Sequence, residues 1–292
     1  LMTLFTLPFN LLRAFWQSVQ VLRRIKPHVV LGMGGYISFP AGLMAAVTGH
    51  KLVVHEQNSV AGMANKVLAL FAQSVLTTFP DVLKKAQWIG NPLREAFVKQ
   101  ARPAERLTKR HGPLQLLVVG GSLGAQALNT VVPQALALMS EFRRPVVIHQ
   151  SGAKQIDALR TAYEQADVQA TLTPFIEDTA QAFAHADVVI ARAGASTVTE
   201  LAAIGVAAIY VPFPHAVDDH QTTNAKFVVD AGGGWLMPQA ELTAQGLADQ
   251  LQVLTREKLV EVAEKAYAMR KTDATEKTVA ICEQLASQGV VA

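Results

Sequence analysis

Two glycine turns, each set between an apolar run and a helical pattern, are the stretches of this sequence best suited to chemistry. In LLVVGGSLGAQALN (116–129), four apolar residues lead into Gly120-Gly121-Ser122-Leu123-Gly124. A strand, a glycine turn and a helix N-terminus let backbone N–H groups close on an anion, and Ser122 adds a hydroxyl donor. A tight strand-to-helix connection would use the same glycines without binding anything. The second turn lies in ARAGASTVTELAAIG (191–205), where Gly194 permits the bend and Ser196 or Thr197 is placed to cap the helix. Glu200 then falls in the first helical turn. A carboxylate there either offsets the helix dipole, worth about 0.3–1 kcal/mol, or accepts hydrogen bonds from two ribose hydroxyls. Two such turns in one half of the chain suggest one ligand carrying a diphosphate and a sugar. Neither turn is a G-x-G-x-x-G fingerprint or a Walker loop.

Three further loops carry polar side chains at strand ends. In VPFPHAVDDHQTTNA (211–225), His215 and His220 lack a third ligand at metal spacing, and the chain has no D-x-D pair. Hydrogen bonding of a sugar by His220 or Gln221 is the reading preferred over exposed loop polarity. LGMGGYISFPAG (31–42) places Gly32, Gly34, Gly35 and Tyr36 after a strand, and HEQNSVAGMANK (55–66) places His55, Glu56, Gln57 and Asn58 after the next. HEQNS is not the HExxH of zinc proteases. Four consecutive polar residues there favour a site over a merely structural strand end. His28, His50, His111, His149 and His185 are read as ordinary structural histidines.

The elements that must position these residues alternate. Short β-branched runs at 28–34, 51–57, 74–79 and 86–92 are followed by a charged, proline-punctuated stretch at 93–113 that reads as a linker. A second series runs through 114–121, 145–152, 169–176, 187–194, 206–214 and 233–239, with helical patterns between most of them. The pattern predicts two doubly wound parallel-sheet domains of an α/β protein, facing a cleft. Ligands then belong beyond the carboxyl ends of the strands. The 292 residues suffice for two such domains, and 50% apolar with 17% charged residues supports a large core. Mean hydropathy is +0.23, yet no apolar run reaches the ~18 residues of a spanning helix. A formal charge of +3 without a basic stripe gives no case for nucleic acid. The single cysteine, Cys282, excludes a disulfide framework and a thiolate metal site.

Taken together, GMGGYISFP, HEQNSVAG, IGNPLR, VVGGSLGA, ARAGASTVTEL and VPFPHAVDDHQTTNA resemble one family, and the six motifs occur in its order. It is the family of transferases that move N-acetylglucosamine from UDP-N-acetylglucosamine to N-acetylmuramyl-(pentapeptide)-pyrophosphoryl-undecaprenol in peptidoglycan synthesis. The resemblance implies the two-domain GT-B fold, with an acceptor and membrane-side domain at 1–93, completed by the C-terminal helix 272–292, and a UDP-GlcNAc-binding domain at 94–271. It implies no cofactor and no metal. By motif matching, Arg94 and Ser122 would contact the donor and Ile176 would meet the uracil edge through its backbone. Ala195, Ser196, Thr197, Val198, Thr199 and Glu200 would wrap the diphosphate and ribose, with Glu200 on the ribose. Gln221, with help from His220, would meet the GlcNAc hydroxyls. Asn58 would reach the donor sugar, while Tyr36, His55 and Glu56 would line the acceptor side. The implied reaction inverts C1 of GlcNAc as the muramyl 4-hydroxyl attacks and UDP leaves, converting lipid I to lipid II.

One departure accompanies the resemblance. The family opens with a strand and a GGTxGH loop whose histidine is a candidate general base, and no such segment precedes Leu1. The sequence therefore reads as lacking its first βα units. The base stays unassigned, and the chain alone is expected to have little or no activity. The family's lipid acceptor implies a peripheral position on the cytoplasmic face of the bacterial inner membrane. Phe5, Leu7, Phe9, Leu12, Phe15 and Trp16, near Arg13, Arg23, Arg24 and Lys26, suit amphipathic docking, with Pro8 expected to break the first turn; a core helix without its partners is the plainer reading. Three alternatives set the tests: an NAD-type oxidoreductase, another GT-B enzyme such as a UDP-GlcNAc 2-epimerase or a lipid glycosyltransferase, and a non-catalytic UDP-binding module.

Overall fold

A computed structural model describes residues 2–121, 124–214 and 216–288, without the side chains of 2–8 and 217. The chain divides into two compact units, one formed by Leu1–Pro92 with Thr272–Ala292 and the other by Leu93–Lys271.

In the first unit, β1 (Val29–Gly32), β2 (Lys51–Glu56), β3 (Ser74–Thr77) and β4 (Gln87–Trp88) form a parallel sheet in that order. Alternation along β2 sends side chains to opposite faces. Leu52 and Val54 pack with Leu68, Phe39 and Leu43 from the helices Met63–Leu68 and Ser38–Val47. Val53 faces the other way, toward Leu76, Ile89 and Ala274, with Ile281 and Leu285 alongside. The second layer is therefore supplied by the final helix, Ala274–Ser287, and Lys51 Nζ donates to its Leu285 carbonyl at 2.8 Å. An opening helix, Met2–Ile25, lies along Ser38–Val47, with Phe15 and Phe39 edge to face at 6.4 Å. It runs through position 8 without a break, contrary to the expectation for Pro8, which is the seventh residue of the helix; proline removes one intrahelical donor there, but its fixed φ is a helical one.

The second unit has β5 (Gln115–Val119), β6 (Val146–Gln150), β7 (Thr171–Thr173), β8 (Val188–Ala191), β9 (Ala207–Tyr210) and β10 (Gly234–Leu236). All neighbours are parallel, in the order β10-β9-β8-β5-β6-β7. Numbered within the unit this is 6-5-4-1-2-3, the order of dinucleotide-binding sheets, and the winding reverses between β5 and β8. Both faces are covered, so β8 and β9 are apolar at every position and fully buried.

The segment 93–113 is not a free linker. It forms the helices Glu95–Val98 and Pro103–Leu107, which bury Phe97 and Leu107 in the second unit. The Arg106 guanidinium donates to the carbonyls of Ala184, Ile204 and Gly205 at 2.6–3.0 Å. Arg110 and Arg256 close on the buried carboxylate of Asp187 at 2.9 and 3.2 Å. Charge and proline in this stretch serve packing, because its arginines reach carbonyls at helix ends that would otherwise lack donors.

Candidate active site in the second unit

β5 and β8 are neighbours, with Val119 opposite Ala191, so the two glycine turns emerge side by side at the reversal of the sheet. The first turn needs its glycines. Gly121 and Gly124 have φ of +84° and +75°, and a Cβ on Gly124 would lie 2.1 Å from the Ser151 carbonyl oxygen. The helix Gln126–Leu138 that follows has no side-chain cap and no acidic residue in its first turn. Ser122 falls outside the described residues. The second turn leads into Ala195–Ile204, whose N-cap is Gly194, again without a side-chain cap. Ser196 and Thr197 thus do not cap it, contrary to expectation, and Thr199 Oγ1 bonds back to Ala195 O at 2.9 Å. Two helix N-termini without caps or acidic side chains present N–H donors and positive dipole ends to the same crevice, which suits a diphosphate.

Glu200 is the sixth residue of its helix rather than part of the first turn. The dipole there has faded, which removes the simplest structural reason for a carboxylate. Burial pushes its pKa up to about 7, with the nearby charge of Arg94 pulling the other way. No hydrogen bond contributes to that balance. Arg94 precedes Glu95–Val98 and lies 4.8 Å over the Phe97 ring, so one helix junction brings it toward Glu200. The charge of Arg94 therefore reaches Glu200 across 106 positions of chain.

Carboxamides hold both turns. Gln150, at the end of β6, accepts from Gly121 N–H at 3.2 Å and donates to the carbonyls of Gly121 and Pro174, both at 3.0 Å. Gln221 Oε1 accepts from the N–H groups of Ala193 at 3.2 Å and Phe213 at 2.9 Å, while Asn224 Nδ2 donates to Ala193 O at 3.2 Å. Gln221 thus ties the second turn to the loop after β9. Arg192 adds bonds to the carbonyls of Val211 and Pro212 and to Gln239 Oε1. Ile176 and the exposed Phe175 line a cavity of about 160 Å³ with Val119, Gly121, Gln150 and Thr179. The roles of Gln150, Asn224 and Arg192 carry no local signal in sequence, because their partners lie far along the chain. His215, weighed as a metal ligand, lies outside the described residues, and no group of three metal-ligating side chains occurs among the described ones.

Beneath the first turn, His149 takes part in a buried hydrogen-bond network. Its ring is fully buried between Tyr163 Oη at 2.9 Å and Asn129 Oδ1 at 3.1 Å. Asn129 Nδ2 donates to Ser151 O and Gln155 Oε1. The Asn129 oxygen needs a donor, so Nε2 of His149 carries the proton and Tyr163 donates to Nδ1. Burial lowers the His149 pKa to about 3, so it is neutral.

The polar run in the first unit is arranged differently. His55 and Glu56, expected on the acceptor side, are both buried. His55 donates from Nε2 to Gly90 O at 2.9 Å and accepts from Gln57 Nε2 at 3.1 Å. Burial lowers its pKa, consistent with one donating and one accepting nitrogen. Glu56 accepts from Asn58 N–H at 2.9 Å, Gly62 N–H at 3.1 Å and Asn65 Nδ2 at 2.7 Å. The pair thereby shapes the loop. Asn58 is half-buried and Tyr36 is 84% exposed.

Residues 115–282 match the glycosyltransferase family 28 C-terminal domain, and residues 2–77 match its N-terminal domain. The chain belongs to glycosyltransferase family 28. Within this family it is 65% identical, over 98% of its own length and 74% of the relative's, to a protein of Polaromonas sp. (strain JS666 / ATCC BAA-500). It is 62% identical, over 98% and 80%, to one of Paracidovorax citrulli (strain AAC00-1). Both bear the name UDP-N-acetylglucosamine–N-acetylmuramyl-(pentapeptide) pyrophosphoryl-undecaprenol N-acetylglucosamine transferase. The crystal structure of MurG from Acinetobacter baumannii superposes with a TM-score of 0.84 at 37% identity, covering 95% of this chain and 79% of that one. A candidate UDP-N-acetylglucosamine 2-epimerase from Listeria monocytogenes reaches 0.64 at 13% identity, over 92% and 77%. That second likeness is one of fold alone, which is why fold cannot separate the transferase from the epimerase and identity must.

Proposed function

We propose that this family 28 protein transfers N-acetylglucosamine from UDP-N-acetylglucosamine to the 4-hydroxyl of undecaprenyl-pyrophosphoryl-N-acetylmuramyl-pentapeptide, converting lipid I to lipid II. The observation that carries this is 65% identity, over 98% of the chain, to a transferase of that name. The crevice between β5 and β8 supports it physically. Uncapped helix N-termini at Gln126 and Ala195 suit the donor diphosphate, and the cavity at Ile176 suits its base. Glu200 suits the ribose hydroxyls, with the segment Ala195–Thr199 against the phosphates, and Gln221 lies on the sugar side.

In this reading the bond from C1 of GlcNAc to the UDP oxygen breaks as the muramyl oxygen attacks from the opposite face. The acceptor proton leaves to a base that remains unassigned. Charge gathers on the departing diphosphate, where backbone N–H groups, two positive helix ends and Arg94 stabilise it. Such preorganised donors act on charge as it develops, with no reorganisation at the moment of reaction.

The lipid acceptor places the protein at the cytoplasmic surface of the inner membrane. Phe9, Leu12 and Trp16, spaced three and four apart, form an apolar stripe on the opening helix and are 75%, 66% and 61% exposed. Arg13, Arg23 and Arg24 suit anionic headgroups beside it. No described helix is long and apolar enough to cross a membrane.

Calorimetric titration with UDP-GlcNAc, with NADH as the control, tests the donor assignment. Binding of the nucleotide sugar without NADH is expected; NADH binding without it would overturn the reading in favour of an oxidoreductase. Co-sedimentation with anionic vesicles is expected for the chain and lost in a Phe9→Ser, Leu12→Ser, Trp16→Ser variant. Failure of the unaltered chain to co-sediment would contradict the membrane assignment.

A further inference from the structure

The cavity at Ile176 and the first glycine turn come from different loops, after β7 and β5, yet one side chain joins them. Gln150 is 3% exposed and uses its whole carboxamide: Oε1 takes the Gly121 N–H, while the two Nε2 hydrogens go to Gly121 O and Pro174 O. Its orientation is dictated by its partners, since only an NH2 group can face two carbonyls and only an oxygen can face an N–H. The N–H and the C=O of Gly121 are thereby both held, in a residue already at positive φ. Pro174 immediately precedes Phe175 and Ile176, which wall the cavity together with Gly121 and Gln150 itself.

We infer that Gln150 is a positioning residue that fixes the distance between the base pocket and the diphosphate turn, so that one nucleotide engages both at once. The inference rests on the donor reading given above. Two subsites held at the spacing of a single ligand act as a chelate: the second contact forms at high effective concentration once the first is made. If the loops move independently, each half of the ligand still finds its own subsite and only the benefit of joining them is lost. A side chain that merely supports the core would instead affect stability, or weaken every ligand alike.

Gln150→Met keeps the size and removes all three bonds; Gln150→Glu keeps the acceptor for Gly121 N–H and sets a carboxylate against two carbonyls. Both variants and the unaltered chain would be titrated with UDP and with uridine, following binding by NMR, with thermal unfolding recorded alongside. UDP affinity is expected to fall about tenfold or more while uridine changes by less than about twofold, with Gln150→Glu the weaker binder of the two. Equal loss for UDP and uridine, or no loss for either in a folded variant, would overturn the inference while leaving the donor reading intact. A unaltered chain that binds no UDP would overturn the donor reading and this inference with it.

Discussion

Glu56 and Glu200 are both acidic residues in motifs that follow a strand, one in each unit, and the sequence treats them alike. Their surroundings do not. Glu56 is 3% exposed and meets two backbone N–H groups and the Asn65 amide. Glu200 is partly exposed, receives no hydrogen bond that shifts its titration, and has its pKa raised to about 7 by burial against only the pull of Arg94. A buried carboxylate with its lone pairs satisfied is part of the architecture. One that is desolvated and unsatisfied is poised for a ligand whose hydroxyls complete it. The difference separates a residue that builds a loop from the one we propose for the donor ribose.

The strongest way to break the contrast is Glu56→Ala. It leaves three donors without their acceptor, of which the Asn65 amide is buried, at a cost of about 1–3 kcal/mol for that group and less for the two backbone N–H groups that water can reach. Urea unfolding is expected to show the first unit destabilised by about 3 kcal/mol, with UDP-GlcNAc affinity in the second unit unchanged. A large loss of nucleotide affinity without loss of stability would reverse the roles assigned to the two carboxylates. Glu200→Gln should do the opposite, lowering nucleotide affinity about tenfold to a hundredfold, or ~1.4–2.7 kcal/mol. Its effect on stability has a definite sign. Because the folded pKa is raised from 4.5 to about 7, the folded state binds the proton more tightly than the unfolded one, and ionisation penalises folding as pH rises through that window. The variant removes this penalty, so thermal unfolding should show it matching the unaltered chain below pH 4.5 and exceeding it by a growing margin up to pH 7. The smallest shift belongs to the titration of Glu200 in Arg94→Ala. Without the cation the Glu200 carboxyl should titrate still higher, by less than about one pH unit for a partly screened charge, and the midpoint of any pH-dependent binding should move up with it.

Much of the fold was legible in sequence. Every predicted run of β-branched residues contains an observed strand, because strands of a parallel sheet buried on both faces must be apolar along their length, as in VVIA and AAIY. The first glycine turn was legible because positive φ and close backbone approach demand glycine at Gly121 and Gly124; Gly194 of the second turn has φ −62°, which any residue adopts. The 93–113 segment was misread, since arginines that reach helix-end carbonyls look in sequence like solvated charge. The carboxamide clamps were equally hidden: Gln150 acts on Gly121, 29 positions away, and no periodicity records such a contact. His55 and Glu56 were expected to line the acceptor side because polar residues at a strand end read the same way whether they face a ligand or hold a loop. Only burial and the hydrogen-bond partners tell them apart.

The most direct test is the affinity of UDP-GlcNAc from pH 5.5 to 8.5, measured for the unaltered chain and for Glu200→Gln. The phosphates of this nucleotide sugar stay ionised throughout the range, so the difference between the two proteins isolates one carboxyl group. If ribose hydroxyls bind the Glu200 carboxylate, affinity should rise with pH and level off above about 7, with protons released on binding below that point, while the variant binds more weakly and without this pH dependence. The same pH dependence in both proteins, or no binding by the unaltered chain, would contradict the assignment of the donor site to this unit.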